Sequence, residues 1–495
     1  MIEITCAIVI GIFIGIFTGL IPGIHVNTIC AILLSLIATH IYLDIGPFVL
    51  IAFISSLAIT HTFFNIIPGL FLGIPGDSTF ALLPGHSLVK NGYGELAIRI
   101  SVIGSLLGLV VGLFFIAILF AGNITQAIQK YLPDYIFYIL VLVSVILILS
   151  EKNRLNSLFV FSASGLLGIL IFNTPIVPSQ DAPIGSIFPA LTGLFGISGL
   201  IWSLYTLEKD EKSNSNKKQN IIYMETLLPS IRGGIAGFIV GILPGLGGAN
   251  AATLLLLIEK WLGKRNDKDY EDRSYLITTS SLNTSEAIIA IVSLYFIQKS
   301  RSGASVAIAQ ILNYDMTYHE FKVILFAIIF AGILSTVLLW KSGPVIAKKI
   351  QKYNYPGLNW SLIVFLLSLV IMLFGIGGLA VILSATIVGL LPFIFNVRKG
   401  QLMGFFLVPV MIYFSGWGRT IYDFIKINQR HPPTEIINEY LILVSLIISS
   451  LFSFFIYYFI VKKKINYKQH HLHAEKAMYS IFFCAVLSLI ISLFI

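Results

Sequence analysis

Three stretches of the chain combine polar side chains with turn residues inside apolar surroundings. The first is Gly19 to Thr28, with Pro22, Gly23, His25, Asn27 and Thr28, and its counterpart is Gly241 to Thr253, with Pro244, Gly245, Gly247, Gly248 and Asn250. Proline removes a backbone donor and glycine accepts a turn, so a helix is expected to break at each Pro-Gly. The helix that restarts has unpaired N–H groups at the positive end of its dipole, which suits an anion. Asn27 and Asn250 are placed to add side-chain amides there. The plainer reading is that glycines only allow close helix packing. The second stretch runs from 65 to 95, where three Pro-Gly pairs (68-69, 75-76 and 84-85) interrupt an apolar run. Asp77, Ser78 and Thr79 follow Pro75-Gly76 and make a natural N-cap. A carboxylate at membrane depth is costly, and Asp77 is therefore a candidate for a coupling cation or proton. The plainer reading is a surface cap. The third is Thr278-Thr-Ser-Ser-Leu-Asn-Thr-Ser-Glu-Ala287, with six hydroxyls, Asn283 and Glu286. It reads as a polar lining, with Glu286 a second coupling candidate, or else as an ordinary loop. Arg99 and Arg232 sit near expected helix ends, where snorkelling to headgroups is the commoner role.

The elements that must position these residues are membrane helices. The chain has 495 residues, 57% hydrophobic and 11% charged, far below the roughly 25% charge of a soluble domain. Residues 97–121, 132–150, 322–340, 358–376, 378–396, 436–461 and 478–495 approach or exceed the roughly 20 residues of a helical span. Runs 28–43, 157–172 and 303–312 are shorter and read as tilted, half-span or re-entrant pieces. These runs lack the alternation of a barrel strand. The expected fold is an all-α polytopic membrane protein of about 10–12 helices, multi-pass in the cell membrane. The net charge of +9 resides mostly in loops between apolar runs, as the positive-inside rule expects, which argues against a nucleic-acid partner. Cys6, Cys30 and Cys484 show no metal or disulfide spacing. The first apolar run lacks a basic n-region and a cleavage site, so no cleaved signal peptide is expected.

An internal repeat organises the chain. Gly11, Gly15, Gly19, Pro22 and Gly23 align without gaps on Gly233, Gly237, Gly241, Pro244 and Gly245. A weaker echo pairs Ile59-Thr60 through Asn65 with Ile277-Thr278 through Asn283. Residues 1–89 contain no Lys or Arg, whereas lysines and arginines bracket the second copy. By the positive-inside rule the two copies face opposite ways, as two inverted repeats with re-entrant hairpins broken at Pro-Gly. The apolar stretch 227–258 has basic flanks at both ends, which a hairpin turning at Pro244-Gly245 keeps on one side. The expected division is a first half at 1–206, a cytoplasmic linker at 207–222, and a second half at 223–495 with extra C-terminal helices. His470, His471 and His473 sit in a basic loop, read as solvated in preference to metal-binding. No catalytic set, metal site or cofactor is expected.

The paired G-x3-G-x3-G-x2-P-G motifs, with Pro75-Gly76-Asp77-Ser78 and the segment Gly85 to Glu95, resemble the TctA family. This is the large membrane subunit of tripartite tricarboxylate transporters, with archaeal relatives of unknown function. The resemblance covers most of the chain and is strongest at 11–104 and 229–300. It implies an ion-driven carboxylate permease of about a dozen helices, working with a small membrane subunit and an extracytoplasmic binding protein. It also implies that Pro22, Gly23, Pro75, Gly76, Asp77, Ser78, Pro244 and Gly245 line the substrate path. The family's second half usually has its own Pro-Gly-Ser turn. Here the corresponding stretch is read as Tyr295 to Ser300, which makes that element look degenerate. Two other classes remain open from the residues: a translocase for a lipid-linked phosphate, and an intramembrane hydrolase. The hydrolase lacks a second facing aspartate and any HExxH pattern.

Overall fold

The computed structural model describes residues 2–21, 45–72, 91–121, 124–173, 182–206, 224–243, 268–298, 300–313, 316–350 and 355–416. It also describes Val26, Asn27, Ile29, Cys30, Leu33, Leu34, Gly85, Ser87, Leu88, Val89, Gly248, Ala251, Ala252, Leu254 and Leu255. All regular structure among them is helical: α1 (Ile2–Leu20), α2 (Pro47–Phe64), α3 (Ile66–Leu72), α4 (Gly94–Ala121), α5 (Ile124–Leu149), α6 (Arg154–Asn173), α7 (Ala182–Leu191), α8 (Ser198–Thr206), α9 (Met224–Ile242), α10 (Lys268–Ile297), α11 (Gly303–Ile311), α12 (Tyr318–Ile350), α13 (Tyr355–Phe395) and α14 (Gly404–Phe414). A π-helical turn, Thr192–Ile197, joins α7 to α8, and a 3-10 turn, Lys399–Met403, leads into α14. Nine helices among the described residues are long and apolar enough to cross a membrane. The expected spans 436–461 and 478–495 lie outside the described residues.

The helices form two packed groups. One contains α1–α4 and α9–α12, with a single buried cluster running from Ile8 through Ile59 and Ile288 to Ala331. The other contains α6–α8, α13 and α14, with α5 lying against α14. The Gln129 amide of α5 donates to the Phe296 carbonyl of α10 at 2.8 Å and ties the groups together. Both groups draw helices from the first and the second half of the chain. The halves are interlocked and do not form separate lobes.

Two spans sit at the centre. The span Pro47–Phe71 is 83% buried and the span Tyr270–Ile297 is 78% buried, against 28–50% for the other seven. These two carry most of the buried hydroxyls of their group, while Phe13, Phe17, Ile235 and Ile239 on the outer helices point outward. Lipid penalises polar groups on a helix, and they are therefore turned into the bundle. The stretch 278–287 lies in mid-helix in α10, which decides against the loop reading.

Two breaks shape the remaining helices. Gly375 has φ 60° and ψ −154° inside α13. A Cβ on Gly378 would stand 3.1 Å from the Val370 side chain, eight residues earlier. Eight residues of straight helix span about 12 Å. The chain therefore folds back at Gly375, and α13 is the two expected spans 358–376 and 378–396 joined by a tight turn. Likewise α9 ends at Ile242, and Val240, Ala251, Leu255 and Leu282 share one buried cluster. A straight helix would carry Leu255 about 22 Å from Val240. Val240 and Leu255 therefore do not lie on one straight helix.

Candidate functional site

The repeat is legible in the packing of α1 on α2 and of α9 on α10. A Cβ on Gly11 would strike the Phe53 carbonyl oxygen, the Ser56 side chain and the Leu57 nitrogen; on Gly233 it would strike the Thr278 oxygen, the Ser281 side chain and the Leu282 nitrogen. Gly15 faces the Leu57 oxygen and Thr60, and Gly237 faces the Leu282 oxygen and Ser285. Gly19 faces Phe64, and Gly241 faces Ile289. The glycines are separated by 233 − 11 = 222 residues in all three pairs. Their partners are separated by 281 − 56 = 285 − 60 = 289 − 64 = 225 residues. Small residues let two backbones approach closely in lipid, where helix association rests on packing. The same helix contact is thus built twice, at one residue offset.

This register corrects the weaker echo read from sequence. That echo implied a separation of 218 for the second helix, seven residues or two helical turns short. Under 225, Thr60 matches Ser285 and His61 matches Glu286, and the end of α3 at Leu72 matches the end of α10 at Ile297. Gly73 then falls on Gln298, which has φ 57°. A left-handed backbone favours glycine, and the first copy has one there.

The register also moves the counterpart of Pro75–Thr79. It is Ser300–Ala304, not Tyr295–Ser300, whose first residues close α10. Far from degenerate, this stretch opens α11 with a capping box. The Ser302 side chain accepts from the Ser305 N–H at 3.2 Å, and the Ser302 N–H donates to Ser305 Oγ at 2.8 Å. The Arg301 N–H donates to the same oxygen at 2.8 Å. Carried on without gaps along the sequence, the same offset aligns Ser302 with Asp77 and Arg301 with Gly76. The Nε of Arg301 is buried and has no hydrogen-bond partner.

Polar contacts join the two copies between α2 and α10. The Asn283 amide donates to the Thr62 carbonyl and to Asn65 Oδ1, each at 3.2 Å. The Thr62 and Thr284 hydroxyls meet at 3.5 Å, and Ser335 of α12 donates to Thr60 or accepts from it at 3.0 Å. Asn27, which follows Pro22-Gly23 in the sequence, lies against Gly303 at the start of α11. Gly248, which follows Pro244-Gly245 in the sequence, donates its N–H to Glu286 Oε1 at 3.1 Å. His61 Nδ1 lies 3.1 Å from Thr18 Oγ1, which donates to the Gly15 carbonyl at 3.2 Å. The register thus puts one titratable side chain at the same position in each copy, the buried His61 and the partly buried Glu286.

Of the residues expected at the site, Asn27, Gly248, Asn283 and Glu286 are in these contacts. Pro22, Gly23, Thr28, Pro75, Gly76, Asp77, Ser78, Thr79, Pro244, Gly245, Gly247 and Asn250 lie outside the described residues, as do His470, His471 and His473. Arg99 is engaged elsewhere: it pairs with Glu95 at 2.8 Å and lies 4.7 Å over the Trp340 ring. Two residues escaped the sequence reading. His61 was detectable as a titratable group in an apolar run, and Arg301 needed the corrected register.

Residues 6–404 match the family described as the tripartite tricarboxylate transporter TctA family. An uncharacterized protein of Methanocaldococcus jannaschii is 30% identical over 417 residues, covering 82% of this chain and 98% of that protein. No solved structure matches.

Proposed function

The chain belongs to the tripartite tricarboxylate transporter TctA family, and from that membership we propose that it is a secondary transporter carrying a small di- or tricarboxylate across the cell membrane by alternating access. The family makes it a multi-pass membrane permease of the tricarboxylate-transporter type; the substrate, the coupling and the motion are our reading. The observation that carries the reading is the twice-built contact of a glycine-striped helix on a polar helix. It gives each copy a broken element beside a buried polar seam, the arrangement in which inverted-repeat transporters hold substrate at mid-membrane.

In this account the copies are inverted, and their broken elements meet around the substrate. The backbone and side chains at Pro22, Gly23, Asn27 and Thr28, at Pro75, Gly76, Ser78 and Thr79, and at Pro244, Gly245, Gly247, Gly248, Asn250 and Asn283 contact the carboxylate. Asp77 and Glu286 bind the coupling ion. The small membrane subunit and extracytoplasmic binding protein that the family resemblance implies deliver substrate to a passage formed by this chain. Thermal stability of the purified chain against a panel of carboxylates and lipid phosphates tests the substrate class. We expect stabilisation by at least one di- or tricarboxylate. Stabilisation by none of these carboxylates would contradict the reading.

A further inference from the structure

Among the described residues, ten buried side-chain polar atoms have no hydrogen-bond partner, and six of them belong to the 3-10 turn Lys399–Met403, the residue before it, or the two helices α6 and α13 that pack on it. They are Ser157 Oγ, both amide atoms of Asn359, Arg398 Nη1, Lys399 Nζ and Gln401 Oε1. Buried polar groups are normally satisfied, so a cluster of this kind calls for a ligand. The clustering follows from the fold. The 3-10 turn Lys399–Met403 is clamped on the α5–α6 connection, since Gln401 Nε2 donates to the Leu147 carbonyl at 3.0 Å and Arg398 Nε lies 3.5 Å from Glu151. Asn156, beside Ser157, donates to the Phe395 carbonyl at 3.5 Å. Asn359 precedes the Gly375 turn by 375 − 359 = 16 residues, and Leu391 follows it by 391 − 375 = 16. The fold-back therefore sets Asn359 alongside Leu391, eight residues before this turn.

Lys399 is the telling residue. It is 6% exposed, and its ammonium lies 4.5 Å from the centroid of Phe393. Phe393 in turn stacks on Trp202 at 4.8 Å. A ring face offsets only part of the cost of burying a cation. Glu151 already serves Arg398, and burial pushes Lys399 toward its neutral amine; an anion beside it would favour the charged form. The unsatisfied groups are mainly donors: an ammonium, a guanidinium nitrogen, an amide nitrogen and a hydroxyl.

We propose that Lys399, Arg398, Asn359 and Ser157 form a second anion site, distinct from the seam between α2 and α10, that binds a phosphate-type oxyanion. Trp360, next to Asn359, is 59% exposed. An outward-facing tryptophan marks the depth of the lipid headgroups. The same chemistry is available from a phospholipid headgroup and from free phosphate.

The test uses the purified full chain in detergent, with phosphate added against chloride, and separately with phosphatidylglycerol added against phosphatidylcholine. Ligand binding to the native state raises the melting temperature. We expect a rise on the order of 5 °C from at least one anion, kept in Lys399→Arg and lost in Lys399→Met. A response to phosphate identifies a free anion, and a response to phosphatidylglycerol alone identifies a headgroup. Without added anion, Lys399→Met should melt no lower than the wild type, because it removes an unpaired buried polar group. Native mass spectrometry of the wild type needs no variant, and should show retained phosphatidylglycerol or a phosphate adduct. Absence of both, or a Lys399→Met protein that responds like the wild type, overturns the proposal. Neither outcome bears on the transport reading.

Discussion

Replacing Gly15 and Gly237 with valine tests whether the two helix pairs are packed alike. A Cβ on Gly15 would stand 2.8 Å from the Leu57 oxygen and 2.7 Å from Thr60 Cβ. On Gly237 it would stand 2.7 Å from the Leu282 oxygen and 2.8 Å from the Glu286 nitrogen. A relaxed carbon–oxygen contact is about 3.3 Å or longer, so each helix must withdraw by roughly 0.5 Å. Backbone cannot rotate aside as a side chain can, and overpacking of this kind costs about 1–3 kcal/mol. The better helix propensity of valine returns only about 0.3 kcal/mol. Each variant should therefore lose about 1–3 kcal/mol, and the double variant roughly the sum, because the two contacts share no residue. The assay is the apparent melting temperature in detergent, read by intrinsic fluorescence, with an expected drop of roughly 2–8 °C for each single variant. Gly46→Val is the control, since a Cβ there meets nothing within 4 Å; it should stay within about 0.5 kcal/mol of wild type. If either valine variant melts like this control while the other falls, the two contacts are not equivalent and the register of 225 fails.

Glu286→Gln keeps a group able to accept from the Gly248 N–H but cannot hold a cation or give up a proton, so carboxylate binding should persist while gradient-driven uptake is lost; uptake equal to wild type in proteoliposomes would remove Glu286 from coupling. Arg301→Gln should weaken carboxylate binding roughly 10- to 150-fold, the range of a hydrogen bond to a charged group, in a titration of the purified chain. Unchanged affinity would place Arg301 outside the substrate path. Asn283→Ala leaves the Thr62 carbonyl and Asn65 Oδ1 without their donor and should cost about 1–3 kcal/mol in detergent unfolding, and a neutral result would show that the cross-repeat contact carries no stability.

The sequence made the helical membrane fold and the first helix of the repeat readable, because length, apolarity and the Gly-Pro-Gly spacing are local properties. It also separated the apolar runs 358–376 and 378–396, which the break at Gly375 divides. The second helix of the repeat was matched two turns out of register. A shift of seven residues keeps the same helix face, so serines and threonines align on other serines and threonines, and only the atoms facing each glycine distinguish the two. That error hid the match of His61 with Glu286 and made the start of α11 look degenerate. The interlocking of the halves was not readable, because no local pattern records which distant helix a face meets. The proposed second anion site was hidden for a similar reason: Ser157, Asn359 and Lys399 lie far apart in the sequence, on elements that only the fold packs together.

The central claim is that this one chain forms the passage for a small carboxylate. Exchange of radiolabelled di- and tricarboxylates across proteoliposomes containing only this chain, at saturating substrate so that no delivery subunit is needed, tests it most directly. The account predicts exchange of at least one such carboxylate above protein-free vesicles, and accumulation when an ion gradient is imposed. No exchange of any of them by a chain shown to be folded in the same vesicles would contradict it.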